Sequence, residues 1–96
     1  MKEEKNHEDH KNKIELTVRH GGNEVFLTEN IHHKIQHVLN ETLRELQDKF
    51  GLVPPPNNIP FLRYGSLDLA DMNKSLGEYA IPDKAVLDLL FRAGGG

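Results

Sequence analysis

Cysteine is absent from the sequence, and that removes several chemistries at once. Without a thiol the chain builds no disulfide framework and no zinc knuckle, and it forms no enzyme-side thioester, so any such sulfur belongs to a partner. A basic surplus is also missing. Twelve Lys and Arg stand against 15 Asp and Glu, for a net charge of −3, which leaves no positive field for nucleic acid. No apolar run approaches the ~20 residues that span a bilayer, and the first residues lack the apolar core of a secretory signal. The expectation is a soluble, cytoplasmic protein with no nucleic-acid and no membrane partner. A length of 96 residues allows one small domain with little room for a substrate cavity. No nucleophile with an orienting base, phosphate-cradling glycine loop or paired carboxylates can be assembled, so the reading is a non-enzyme without a cofactor.

What is present is ordered along the chain. Met1 to Lys13 is almost wholly polar and predicts a disordered tail over 1–13, in which His7 and His10 have no assigned role. Ile14, Leu16 and Val18 then alternate with Glu15, Thr17 and Arg19, the period of a half-buried strand. His20-Gly21-Gly22-Asn23 reads as a hairpin turn, and Val25 and Leu27 face inward on the return strand. Thr28, Glu29 and Asn30 break the alternation, with Asn30 placed to cap a helix. From Ile31 the period becomes helical through Ile35, Val38, Leu39, Leu43, Leu46 and Phe50, and Lys49, Gly51 and Pro54 mark the end. His33, His37 and Glu41 share one face of this helix at metal-ligand spacing. The pattern lacks the distant ligand of a buried site, so a solvated face with no metal is expected.

Pro54-Pro55-Pro56 makes a stiff connector, because proline fixes φ and has no amide hydrogen to donate. A third strand follows over 59–64, then Gly65-Ser66 as a turn and a short strand at Leu67-Asp68-Leu69. The last strand buries Leu87 and Leu89 and exposes Val86, Asp88 and Leu90 before Arg92-Ala93-Gly94-Gly95-Gly96. A hairpin, a helix and two or three further strands predict an α+β domain over 14–92, a mixed four- or five-stranded sheet on one long helix. A flexible glycine tail is expected over 93–96. With no Cβ atoms, such a tail threads a channel too narrow for side chains.

Lys74-Ser75-Leu76-Gly77-Glu78-Tyr79-Ala80-Ile81, followed by a strand, an arginine and glycines, resembles the closing third of ubiquitin. Gly51-Leu52-Val53-Pro54-Pro55 resembles that family's helix exit and proline turn. The resemblance covers 14–96 and is to a ubiquitin-like (β-grasp) modifier, closest in pattern to divergent forms from bacterial conjugation operons. It implies that Gly95 and Gly96 are the conjugation site, with Gly96 the acyl donor. It implies that Arg92 is read by the activating enzyme, and that Leu62 and Leu90 form part of an apolar partner-binding patch. Gly21 and Gly22 stand where that patch's third apolar residue would be. Ser66 replaces the main chain-linking lysine, and Gly94 replaces a basic residue. The implied partners of this monomer are an E1-like activating enzyme, an E2-like conjugating enzyme, a deconjugating peptidase and target proteins. Two alternatives share the fold: a sulfur carrier with a terminal thiocarboxylate, and a noncovalent interaction domain.

Overall fold

In a computed structural model, residues 12–94 are described and form five strands and one α-helix. Strands β1 (Lys13–His20) and β2 (Asn23–Asn30) make an antiparallel hairpin in which Leu16 pairs with Leu27 and Val18 with Val25. Gly21 takes φ +60, the left-handed conformation the tight turn requires. The helix α1 (Ile35–Phe50) follows, then β3 (Asn58–Tyr64), β4 (Leu67–Asp68) and β5 (Ala85–Ala93). Their order in the sheet is β2-β1-β5-β3-β4, with β5 parallel to β1 and antiparallel to β3. Leu16, Val18, Leu62, Leu87 and Leu89 on the sheet's inner face join Ile35, Val38, Leu39 and Leu46 of α1 in one core. Among the described residues, no helix is long and apolar enough to cross a membrane.

Strand β1 starts at Lys13, one residue before the expected Ile14, and α1 starts a turn later than the helical periodicity predicts. The reason for the second shift is local. Pairing of β2 continues to Asn30 opposite Lys13, and Asn30 Oδ1 then accepts a 2.8 Å bond from the His32 amide. Asn30 closes a turn rather than capping the helix. The N-cap is Lys34, which makes no side-chain cap. The amides of Ile35 and Gln36 instead donate to the carbonyls of Lys74 and Met72, at 2.9 and 3.1 Å. A loop 36 or more residues downstream thus satisfies donors that a helix leaves free at its start. At the other end Gly51 is left-handed at φ 67, and the amides of Gly51 and Leu52 close back on Gln47 and Leu46. That is a Schellman stop, at the position the glycine predicts.

The connector before β5 is held by its own polar residues. Ser75 and Glu78 exchange side-chain-to-amide bonds of 2.8 and 3.1 Å in a capping-box arrangement. The amides of Leu76 and Gly77 donate to His33 and Ile31, and a Cβ at Gly77 would lie 3.3 Å from the Ile31 carbonyl oxygen.

The structure corrects the orientation of β3. Leu62, expected on the outer surface, is fully buried, and Phe61, expected inside, is on the outer face. Directly opposed residues of an antiparallel pair share a face, and β3 meets β5 as Leu62 with Leu89 and Phe61 with Leu90. Because Leu89 belongs to the core, Leu62 must as well. Leu62→Ala should therefore destabilise the protein by about 2–5 kcal/mol through a core cavity. Leu90→Ala, on the outer face, should lose less than half as much in equilibrium urea unfolding. Equal losses would contradict this assignment of faces.

Candidate functional site

Two regions carry chemistry, and the first is the end of β5. This strand is the only one of the five with ladders to both β1 and β3 over several residues in the parallel-antiparallel combination, so it leaves the sheet from a fixed course. Of the expected 93–96 tail, Ala93 still pairs with Asn58, and the Gly94 amide donates to the Asn57 carbonyl at 2.7 Å. A Cβ at Gly94 would sit 2.7 Å from that same oxygen. Any other residue at 94 would have to lift away from β3. Gly95 and Gly96, the expected conjugation residues, lie outside the described residues.

Arg92 is exposed on the outer face, with its guanidinium carbon 4.9 Å from the centre of the Phe61 ring. Arg63 approaches the same ring at 5.7 Å. Two cations against one aromatic ring explain how Phe61 is covered outside the core. The expected apolar patch of Leu62 and Leu90 is not assembled, because only Leu90 is on this face. Charge occupies the centre instead. Arg19 meets Asp88 at 3.2 Å, and Arg63 meets Asp68 at 2.6 Å. Farther along the face, Phe26 and Val86 are exposed.

The second region was invisible in the periodicity of the helix alone. Glu29 of β2 is buried with its carboxylate fully covered, beside His33 in the turn before α1 and His37 in its first turn. Alternation through Val25 and Leu27 does not break at Thr28, as expected above, but carries Glu29 to the inner side. The Asn30 amide donates to His33 Nδ1 at 3.2 Å, so that nitrogen is an acceptor. Glu29 Oε1 lies 2.7 Å from the same nitrogen. Burial first, and then the neighbouring Glu41, push the Glu29 carboxyl up to about 8. Burial, and then the adjacent His37, hold His33 below its ordinary value. His37 Nε2 lies 3.6 Å from Glu29 Oε1 and 3.5 Å from Glu41 Oε2. His37 and Glu41 are one turn apart on α1, but His33, expected on the same helix face, lies in the turn before it, and β2 adds Glu29 beside them.

The raised Glu29 value has a definite sign. From 4.5 to about 8 the unfolded chain has lost this proton and the folded one keeps it, so stability falls as pH rises through that window. The lowered His33 value acts the other way, but only below its ordinary 6.5. Between pH 6.5 and 8, in the presence of a chelator, the wild-type chain should lose on the order of 1 kcal/mol per pH unit. Glu29→Gln should remove most of that slope in urea unfolding measured at each pH. An unchanged slope would show that Glu29 is already ionised in the fold.

The ubiquitin-like domain of an Arabidopsis thaliana protein superposes with a TM-score of 0.66 at 18% identity, covering 86% of this chain and 85% of that one. The EccD5 ubiquitin-like domain from Mycobacterium xenopi gives 0.69 at 16% identity, with 86% and 98% covered. A de novo designed protein based on ubiquitin gives 0.64 at 22% identity, with 88% and 94% covered. At these identities the likeness establishes the fold: a mixed five-stranded sheet with one helix, the ubiquitin-like β-grasp. No curated protein matches by sequence. The sequence pattern of one family, described as a protein of unknown function (DUF2604), matches residues 9–96, and with that span of the chain matched, this protein belongs to the DUF2604 family.

Proposed function

We propose that this chain is a ubiquitin-like modifier, joined to other proteins through the carboxyl of Gly96. The observation that carries the reading is the course of β5, which is clamped between β1 and β3 and runs on into the consecutive glycines 94–96. A rigid strand feeding a segment without side chains presents one carboxylate at a set distance from a folded body. In the proposed sequence an E1-like enzyme binds the chain and ATP, and a Gly96 carboxylate oxygen attacks the α-phosphorus. Pyrophosphate leaves, and the carboxyl becomes an acyl adenylate. A cysteine thiolate of the enzyme then displaces AMP to form a thioester, which passes to a cysteine of an E2-like partner. A lysine amine of the target attacks that carbonyl, releases the thiol and completes an isopeptide bond, which a deconjugating peptidase hydrolyses.

This chain contributes binding and geometry to those steps and no catalytic group. Arg92, exposed just before the glycines, offers a planar fork of N–H donors that suits a carboxylate of the activating enzyme. Its stacking on Phe61 places the fork on the outer face, where Arg19, Asp88, Arg63 and Asp68 give a charged surface for the same partner. A second reading, a noncovalent interaction domain, draws on a different observation. The Gly94 amide is bonded to Asn57, so threading the tail through a narrow channel requires that bond to open.

The two readings separate in one experiment. Trypsin cuts after Arg92, the last basic residue, so a modified target lysine would carry an Ala-Gly-Gly-Gly remnant. Tagged chain purified from its native host under denaturing conditions should yield such lysines by mass spectrometry. A variant lacking Gly95 and Gly96 should yield none while keeping its thermal midpoint, and Arg92→Ala should lower the yield about tenfold. Adducts that persist in the truncated variant, or none from the intact chain, would refute conjugation, and a terminal thiocarboxylate would identify a sulfur carrier.

A further inference from the structure

We propose that Glu29, His33 and His37 form a zinc site that fastens the end of β2 to the start of α1. One ligand atom from each residue, a carboxylate oxygen and two imidazole nitrogens, lies within 4.8 Å of the others. A tetrahedral zinc with bonds of 2.0–2.1 Å to nitrogen and oxygen separates its ligands by about 3.3 Å. The separations here bracket that edge: 2.7 Å from Glu29 Oε1 to His33 Nδ1, and 3.6 Å from Glu29 Oε1 to His37 Nε2. Glu41 Oε2 is 3.5 Å from His37 Nε2 but outside this mutually close set, which leaves the fourth position to water. Closing the set on His33 Nδ1 requires that nitrogen to release the Asn30 amide.

A second observation points to a cation independently of the spacing. Glu29 is 1% exposed, and its Oε2 has no hydrogen-bond partner among the described residues. A buried carboxylate with one oxygen unsatisfied is costly, and a cation bound at its Oε1 would offset the charge that burial leaves uncompensated. The two imidazoles are 41% and 47% exposed, so an ion has a path from solvent while the carboxylate holds it from below. Two nitrogen donors with one or two carboxylates select zinc over magnesium or calcium, which take oxygen-rich shells. The ligands come from β2, from the turn and from α1, so binding would favour the folded chain over the unfolded one.

The probe is zinc alone. The full chain carrying His7→Ala and His10→Ala, which removes the histidines of the N-terminal segment, is stripped with a chelator and titrated by calorimetry near neutral pH. Thermal unfolding is followed in parallel. One zinc per chain is expected, with a raised thermal midpoint. Cobalt in its place should give the strong visible bands of a tetrahedral site. His37→Ala and Glu29→Gln should each weaken zinc binding about tenfold or more, with the far-ultraviolet circular dichroism of the metal-free chain unchanged. The glutamine variant separates the proposal from surface binding, since two exposed histidines alone would hold zinc equally well with either residue. Affinity unaffected by Glu29→Gln, or no saturable binding by the parent chain, would overturn the site.

Discussion

The parallel pairing of β1 with β5 is the constraint on which the rest of this structure depends. Leu16 to Arg19 meet Ala85 to Asp88, so two segments from opposite ends of the described chain lie side by side in the centre of the sheet. Parallel neighbours cannot be joined by a hairpin. Everything between them, α1, the proline connector, β3, β4 and the loop before β5, serves to bring the chain back in the same direction. The junction is tied on both faces. Val18 and Leu87 enter the core, Arg19 and Asp88 pair outside, and the Glu15 amide donates to Asp83 Oδ1 at 2.7 Å. Lys84 takes φ +70, and its side chain meets that of Glu15.

A central position for β5 also decides what its end can do. Its inner residues Leu87 and Leu89 are anchored on α1 and on β3, and its outer residues Asp88, Leu90 and Arg92 face solvent in sequence. The strand therefore loses sheet support on one side before the other. Past Asp88 there is no pairing with β1, while pairing with β3 continues to Ala93 and one further bond reaches Gly94. The last residues before Gly95 are thus an edge ladder that can open one bond at a time.

Legibility in the sequence followed the range of the forces involved. The first hairpin, the helix stop at Gly51 and the inner face of β5 depend on neighbours a few residues away, and each was readable from alternation, periodicity or a glycine. The helix start was not, because its donors are satisfied by Lys74 and Met72 rather than by a cap in the adjoining sequence. The phase of β3 failed for another reason. Phe61 and Leu62 are both apolar, so alternation allows either inside, and the choice is made by the ladder to β5 and by two arginines covering Phe61. In the candidate site, Arg92 and the glycines stood out locally, whereas Glu29 required recognising that an acidic residue kept the inward phase of Val25 and Leu27.

A buried acid next to a helix start is an unusual place to leave a polar atom without a partner, and the surroundings show why its state matters beyond its own contacts. His33 bonds through its ring to Glu29, and its carbonyl accepts the Leu76 amide at 3.0 Å. The carbonyl of Ile31, two residues earlier, accepts the Gly77 amide at 2.8 Å. Leu76 and Gly77 belong to the connector that delivers the chain into β5. The same short segment between β2 and α1 therefore holds the Glu29 cluster on its side chains and the approach to β5 on its backbone. These hydrogen bonds tie the Glu29 cluster to the connector that leads into β5.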